Sequence, residues 1–139
     1  MKETSRTSVS KTARSRKQQD ITLLEAIEQI VSISEDSALD AGVMPKLKPW
    51  SSYLARRYGI TERQAIIFSI CMERGPRRVD YNDLARHLGV THIRALSYAS
   101  DIDALVHRRL LRYRDVKDED NFDVNQPVIR ALKHNEVYD

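Results

Sequence analysis

The sequence predicts a mainly α fold with a small β-hairpin: a winged helix–turn–helix domain with an N-terminal helical extension. Three observations predict it. Tyr81-Asn82-Asp83-Leu84-Ala85-Arg86-His87-Leu88-Gly89-Val90-Thr91 holds the small residue, the apolar positions and the turn glycine of a helix–turn–helix centre. Ala95, Tyr98, Ile102 and Leu105 then recur at spacings of three and four, one inward stripe of a long second helix running from Thr91 to about Arg108. Finally, Leu110-Leu111-Arg112-Tyr113-Arg114 alternates with the period of a strand, and Phe122-Asp123-Val124 returns across a polar tip at Lys117–Asn121.

The elements follow in chain order. Residues 1–19 are rich in Ser, Thr, Lys and Arg and offer too little apolar surface to offset ordering entropy, so they predict a disordered basic arm. Asp20 is the expected cap of an amphipathic helix in which Leu23, Leu24, Ile27, Ile30 and Val31 form one apolar stripe. Gly42, Pro45 and Pro49 predict an irregular connection over 34–49, followed by a short helix led by Trp50, Tyr53 and Leu54 and ended by Gly59. Residues 20–58 thus form the helical extension, and residues 59–139 the winged-helix domain.

Within that domain, Thr61-Glu62-Arg63-Gln64 has the form of a capping box, in which hydroxyl and amide side chains satisfy two backbone N–H groups reciprocally. Gly75-Pro76 stops the helix it opens, and Asp80 caps the next, whose inner face is Leu84, Ala85 and Leu88. After the wing, Asn125 is the expected cap of a last helix, with Pro127 in its first turn and Val128, Ile129 and Leu132 facing inward.

Composition narrows the function. With 41% hydrophobic and 31% charged residues in 139, the chain fits one soluble domain with extra segments, and no apolar run approaches the length of a membrane span. The N-terminus lacks the apolar block of a secretory signal and Cys71 is the sole cysteine, which together predict a cytoplasmic protein without an internal disulfide. The net charge of +3 is unevenly placed: residues 1–20 hold six basic and two acidic residues, a net of +4, leaving −1 for the other 119. The basic character therefore belongs to the arm rather than to the predicted folded body.

Side chains for chemistry are missing from the pattern. His87, His92, His107 and His134 are scattered, and with one distant cysteine they make no convincing metal site. Asp101 and Asp103, two apart on a helix, point to different sides and do not form an acid–base pair. No catalytic residue, metal or cofactor is expected, and the chain is read as a non-enzyme.

The start of the second helix is where a DNA-binding domain of this kind would enter the major groove. His92, Ile93, Arg94, Leu96 and Ser97 occupy it. Arg94, Ser97 and His92 suit base or phosphate contacts, and Arg77, Arg78, Arg112 and Arg114 are further candidate nucleic-acid contacts around the wing. Ile93 and Leu96, at i and i+3, do not suit base edges. They predict a protein cover, and hence a candidate protein-contact site; the cover is either the helix at 21–33, leaving α-helical surface buried on two sides, or a partner, or another copy in an oligomer. Asp118, Glu119 and Asp120 at the wing tip would repel a phosphate backbone.

Several of these segments taken together resemble a known family. Gly59-Ile60-Thr61-Glu62-Arg63-Gln64-Ala65-Ile66-Ile67-Phe68, the Asp83-Leu84-Ala85…Leu88-Gly89 core, Ile93-Arg94…Leu96…Tyr98…Asp101-Ile102-Asp103…Leu105…Arg109-Leu110-Leu111, and Val128-Ile129…Ala131-Leu132-Lys133…Asn135-Glu136 are similar to the N-terminal winged-helix region of bacterial, Bacteroidales-type AAA-family ATPases. The resemblance covers about residues 40–138 and implies a recognition or regulatory module, with an ATPase module following downstream. The chain itself has no G-x-x-x-x-G-K-[ST] loop, so ATP hydrolysis is assigned to none of its residues. The expectation is a non-catalytic module acting mainly through protein contacts, with a protein partner or a downstream ATPase module; a DNA-binding winged-helix transcriptional regulator is the alternative.

Overall fold

The computed structural model describes residues 21–115 and 117–138. The basic arm expected over 1–19, and Asp20 as a cap, lie outside the described residues. The chain runs α1 (Leu23–Ser34), α2 (Met44–Tyr58), α3 (Glu62–Glu73), α4 (Tyr81–Leu88), α5 (His92–Leu96), α6 (Ala99–His107), β1 (Leu111–Asp115), β2 (Asp118–Val124) and α7 (Gln126–Leu132). It is mainly helical with one antiparallel hairpin, the winged-helix arrangement the pattern predicts.

The helix at the centre is α3. Ala65, Ile66, Ile67, Phe68, Ser69, Ile70 and Cys71 are all buried, so it is apolar around its whole circumference rather than on one face. Such a helix must be enclosed by the rest of the fold: α1 and α2 pack on it, α6 and β2 meet it, and one continuous apolar core joins them. Burial also pushes the Cys71 thiol well above its ordinary pKa, with the carboxylates of Asp123 and Asp83 adding to the shift, so this sulfur stays protonated and inert.

Capping explains where the helices start. Thr61 Oγ1 accepts from the Gln64 N–H, and the Gln64 amide oxygen accepts from the Thr61 N–H, both at 3.1 Å. Asp80 and Asp83 form the equivalent pair at α4. At α1 the cap is Thr22, whose hydroxyl accepts from Glu25 N–H at 3.1 Å, and not Asp20. The helix begins at Leu23, where its apolar stripe starts and two residues later than a cap at Asp20 would place it, because Thr22 is followed at N3 by the Glu that completes the box. Replacing Thr61 by Ala is expected to lower stability by about 1 kcal/mol, read as a shift of the urea midpoint with an unchanged slope.

Four expectations are corrected. First, the irregular stretch over 34–49 is shorter, because α2 already begins at Met44, with Pro45 in its first turn and Pro49 inside it. Proline is favourable at the start of a helix, and both rings are exposed, so water can satisfy the one carbonyl that Pro49 leaves without a donor. Second, the long helix from Thr91 to Arg108 is two helices. The N–H groups of Ser97 and Tyr98 turn back tightly to Arg94 and Ala95, and Ser97 Oγ donates to the Arg94 carbonyl at 2.5 Å. That competition for backbone acceptors breaks the i to i−4 ladder, and α6 restarts one residue beyond Tyr98. Third, Asn125 precedes α7 without a side-chain cap, since its amide donates instead to the Arg109 carbonyl. Fourth, the acidic residues predicted for the wing tip belong to β2, because strand pairing continues as far as Asp115 and Asp118.

The hairpin pairs Leu111 with Val124, Arg112 with Asp123 and Tyr113 with Phe122. A third segment joins at Val79, which exchanges both backbone hydrogen bonds with Phe122 at 2.7 and 3.0 Å. The wing is thereby tied to the chain entering α4, and its inner side chains, Val79, Phe122 and Val124, are buried in the common core.

Candidate interaction face

The short helix α5 is the most exposed element of the helix–turn–helix. Only Ala95 of its five residues is buried. Ile93 retains 78% of its surface and Leu96 43%. The reading in which this helix is buried on two sides, with the helix at 21–33 as cover, is therefore overturned: α1 packs on α2 and α3 instead. The physical reason is helical phase: Ile93 lies on the side of α5 opposite the buried Ala95, while Tyr98, beyond the break, enters the core with the guanidinium of Arg63 5.6 Å from its ring.

Between α5, the start of α4 and β2 lies a cleft of about 440 Å3, lined by Arg78, His92 and Leu96 together with Asp80, Asp120 and Asn121. This is the space between reading helix and wing. It is charge-mixed, not a continuous basic groove. Arg78 is held at its rim by donating to Asn121 Oδ1 at 3.1 Å. Asp80 is engaged by the backbone of Asp83 in the capping box, so its carboxylate stays at the mouth of the cleft.

The seven candidate nucleic-acid contacts are split by the fold. His92, Arg94 and Ser97 share the exposed end of α5 with Ile93 and Leu96, and Arg78 reaches the same cleft. Arg77 is exposed just before α4. Ser97 is committed to the Arg94 carbonyl. Arg112 and Arg114 are drawn away altogether. On the outer face of the hairpin their guanidinium groups clasp Asp123, at 2.8 and 3.0 Å, and bury that carboxylate almost fully. The hydrogen bond to Asp123, and then its negative charge, hold the Arg112 guanidinium above its ordinary pKa. Two of the expected phosphate contacts thus share a single internal counter-charge, which offsets half of their positive charge.

Asp123 is the residue that pattern reading missed as a determinant of this face, whereas Asp120 was already among the acidic residues read at the wing tip. A signal was present for Asp123: strand alternation places it beside Arg112 and Arg114 on the same side. Asp101 and Asp103 separate as their spacing requires. Asp101 is buried and accepts from Arg63 Nε at 2.8 Å, whereas the exposed Asp103 accepts from the Tyr113 hydroxyl. That hydroxyl is raised in pKa by desolvation first and by its bond to Asp103 second. His87 lies 3.1 Å from Ser34 Oγ, linking α4 to the end of α1. The same junction requires Gly89: its φ of +72° is left-handed, and a Cβ there would meet the Asp36 backbone at 3.1 Å.

Among the described residues, no group of three or more His, Cys, Asp or Glu side chains is placed to hold a metal ion. No helix among them is long and apolar enough to cross a membrane. Comparison with known proteins finds no family model, curated protein or solved structure that matches the chain.

Proposed function

We propose that this chain is a non-catalytic winged-helix recognition and regulatory module that binds a protein partner through Ile93 and Leu96 of α5. The observation that carries this reading is the pair of bare aliphatic side chains on the helix that would otherwise meet nucleobases. Covering Ile93 contributes roughly 1.5–3 kcal/mol and covering the remaining exposed part of Leu96 about half as much, enough to anchor a small interface centre. The surroundings favour polypeptide over polyphosphate: Asp80 and Asp120 line the adjoining cleft and would repel a phosphate backbone, whereas a partner with mixed charge could pair with them and with Arg94. By its sequence resemblance, the module would serve an AAA-family ATPase; reading the gene beyond Asp139 for a phosphate-binding loop tests that part directly.

The test of the contact is the pair Ile93→Asp with Leu96→Asp. Ile93 already faces water and Leu96 does so in part, so unfolding free energy is expected to fall by no more than about 1 kcal/mol. A photo-crosslinking residue at position 93 in host cells is expected to yield protein adducts that Leu96→Asp abolishes. Adducts to nucleic acid alone, or adducts indifferent to Leu96→Asp, would sink the reading.

A second reading, a DNA-binding regulator, is favoured by Arg77 and Arg94, which are exposed and have no carboxylate within 4 Å among the described residues. It requires duplex affinity that falls with salt and is lost on Arg94→Ala.

A further inference from the structure

We propose that a nucleic-acid phosphodiester backbone binds in the groove between the C-terminal ends of α2 and α6, on a surface separate from the Ile93–Leu96 face. The groove encloses about 590 Å3, and Arg56, Arg57, His107, Arg108 and Tyr138 line it. It brings together two guanidinium groups of α2 with one from the turn after α6, and Arg108 lies 50 residues beyond the Tyr58 carbonyl that it meets.

What distinguishes these arginines is how they are held. Arg56 Nη1 donates to Ser52 Oγ at 3.3 Å, Arg57 lies over the Tyr53 ring at 5.3 Å, and Arg108 Nη2 donates to the Tyr58 carbonyl at 2.9 Å. Every one of these partners is neutral. Among the described residues no carboxylate lies within 4 Å of any of the three, in contrast to Arg63, Arg112 and Arg114, each of which clasps a buried aspartate. Each groove guanidinium is therefore positioned while most of its N–H donors and all of its charge remain available.

The helix dipoles account for part of this arrangement. Basic residues in a last turn complement the partial negative charge there, and Arg108 satisfies an orphan carbonyl of α2. They do not account for Arg56 and Arg57 both lining one groove with Arg108 and His107. Since residues 21–139 together carry −1, the concentration here is a local asymmetry and not the reflection of a basic domain. Planar guanidinium forks match phosphate oxygens, and the exposed ring of Tyr138 at the rim offers a stacking surface for a base. The cleft beside α5 lacks this character because Asp80 and Asp120 occupy it.

The full chain would be titrated against a labelled single strand and a labelled duplex at several salt concentrations, by fluorescence anisotropy. Arg56→Ala with Arg57→Ala is expected to weaken binding at least tenfold at low salt. The slope of log affinity against log salt should flatten by about 1.4 for the single strand or about 1.8 for the duplex. A preference for one probe identifies the source of the backbone and supports the site in either case. Arg77→Ala with Arg94→Ala is expected to leave binding as in the wild type, as is Ile93→Asp with Leu96→Asp. The site is refuted by wild-type chain that binds neither probe at low salt, by unchanged affinity in the Arg56–Arg57 variant, or by an equal loss in the Arg77–Arg94 variant. Because the Ile93–Leu96 pair reports on the other face, failure here leaves the protein-contact reading standing, and the reverse holds too.

Discussion

Phe122→Ala is expected to destabilise the fold by about 3–5 kcal/mol, the largest effect of any single truncation at the wing. Phe122 is fully buried and its ring meets Tyr81 edge-on at 5.6 Å, so the aromatic contact joins β2 to the first turn of α4. Its backbone exchanges two hydrogen bonds with Val79 and its Cα faces Tyr113 across the hairpin. One residue thus connects all three extended segments to the core. The cavity left by alanine cannot easily collapse, because the backbone on either side is held by Val79 and by the hairpin ladder. Domains of this size have total stabilities of about 5–15 kcal/mol, so the loss is a large share of the whole. Urea unfolding followed by circular dichroism measures it. A loss below about 1 kcal/mol would mean that the wing is not anchored through this ring.

The order of elements was readable because its signals are local. Thr61 with Gln64, Asp80 before Tyr81, and glycines at the left-handed ends of α2 and α4 each act over a few residues, and all stand where the pattern places them. The fold class follows from them. Errors arose where two local rules compete. Pro45 and Pro49 signal a loop, yet a proline near a helix start costs little, and Leu47, Leu54 and Tyr58 bury one side of the helix that contains them. Ser97 likewise passes for an ordinary helical residue until its hydroxyl takes the Arg94 carbonyl. The break ends α5 beyond Leu96, but Ile93 lies opposite the inward Ala95, Tyr98 and Ile102 whether or not the helix is divided, so its exposure follows from helical phase. The charge of the cleft was only half legible, because the wing tip showed its acidic residues but not that Arg112 and Arg114 would be consumed by Asp123. Ion pairing between strand neighbours depends on register, and the bulge between Tyr113 and Asp115 has no signature in composition.

Arg112→Ala with Arg114→Ala is expected to act on stability and not on nucleic-acid affinity. The two guanidinium groups supply the only charged partners of Asp123 among the described residues, and that carboxylate is 4% exposed. Removing them leaves a nearly buried negative charge with no counter-ion. Breaking a fully buried pair in this way costs about 3–5 kcal/mol, but both arginines are about half exposed. Water will reach Asp123 once the side chains above it are gone, which reduces the expected loss to about 1–3 kcal/mol. Adding Asp123→Asn should recover part of it, since a neutral amide is less costly to leave without a charged partner; the double-mutant cycle reads that recovery as a coupling energy. The opposite result, unchanged stability together with a flatter salt dependence of DNA binding, would return Arg112 and Arg114 to the role of phosphate contacts. The wing would then bind nucleic acid despite its acidic strand, and repulsion would no longer turn this face toward a protein partner.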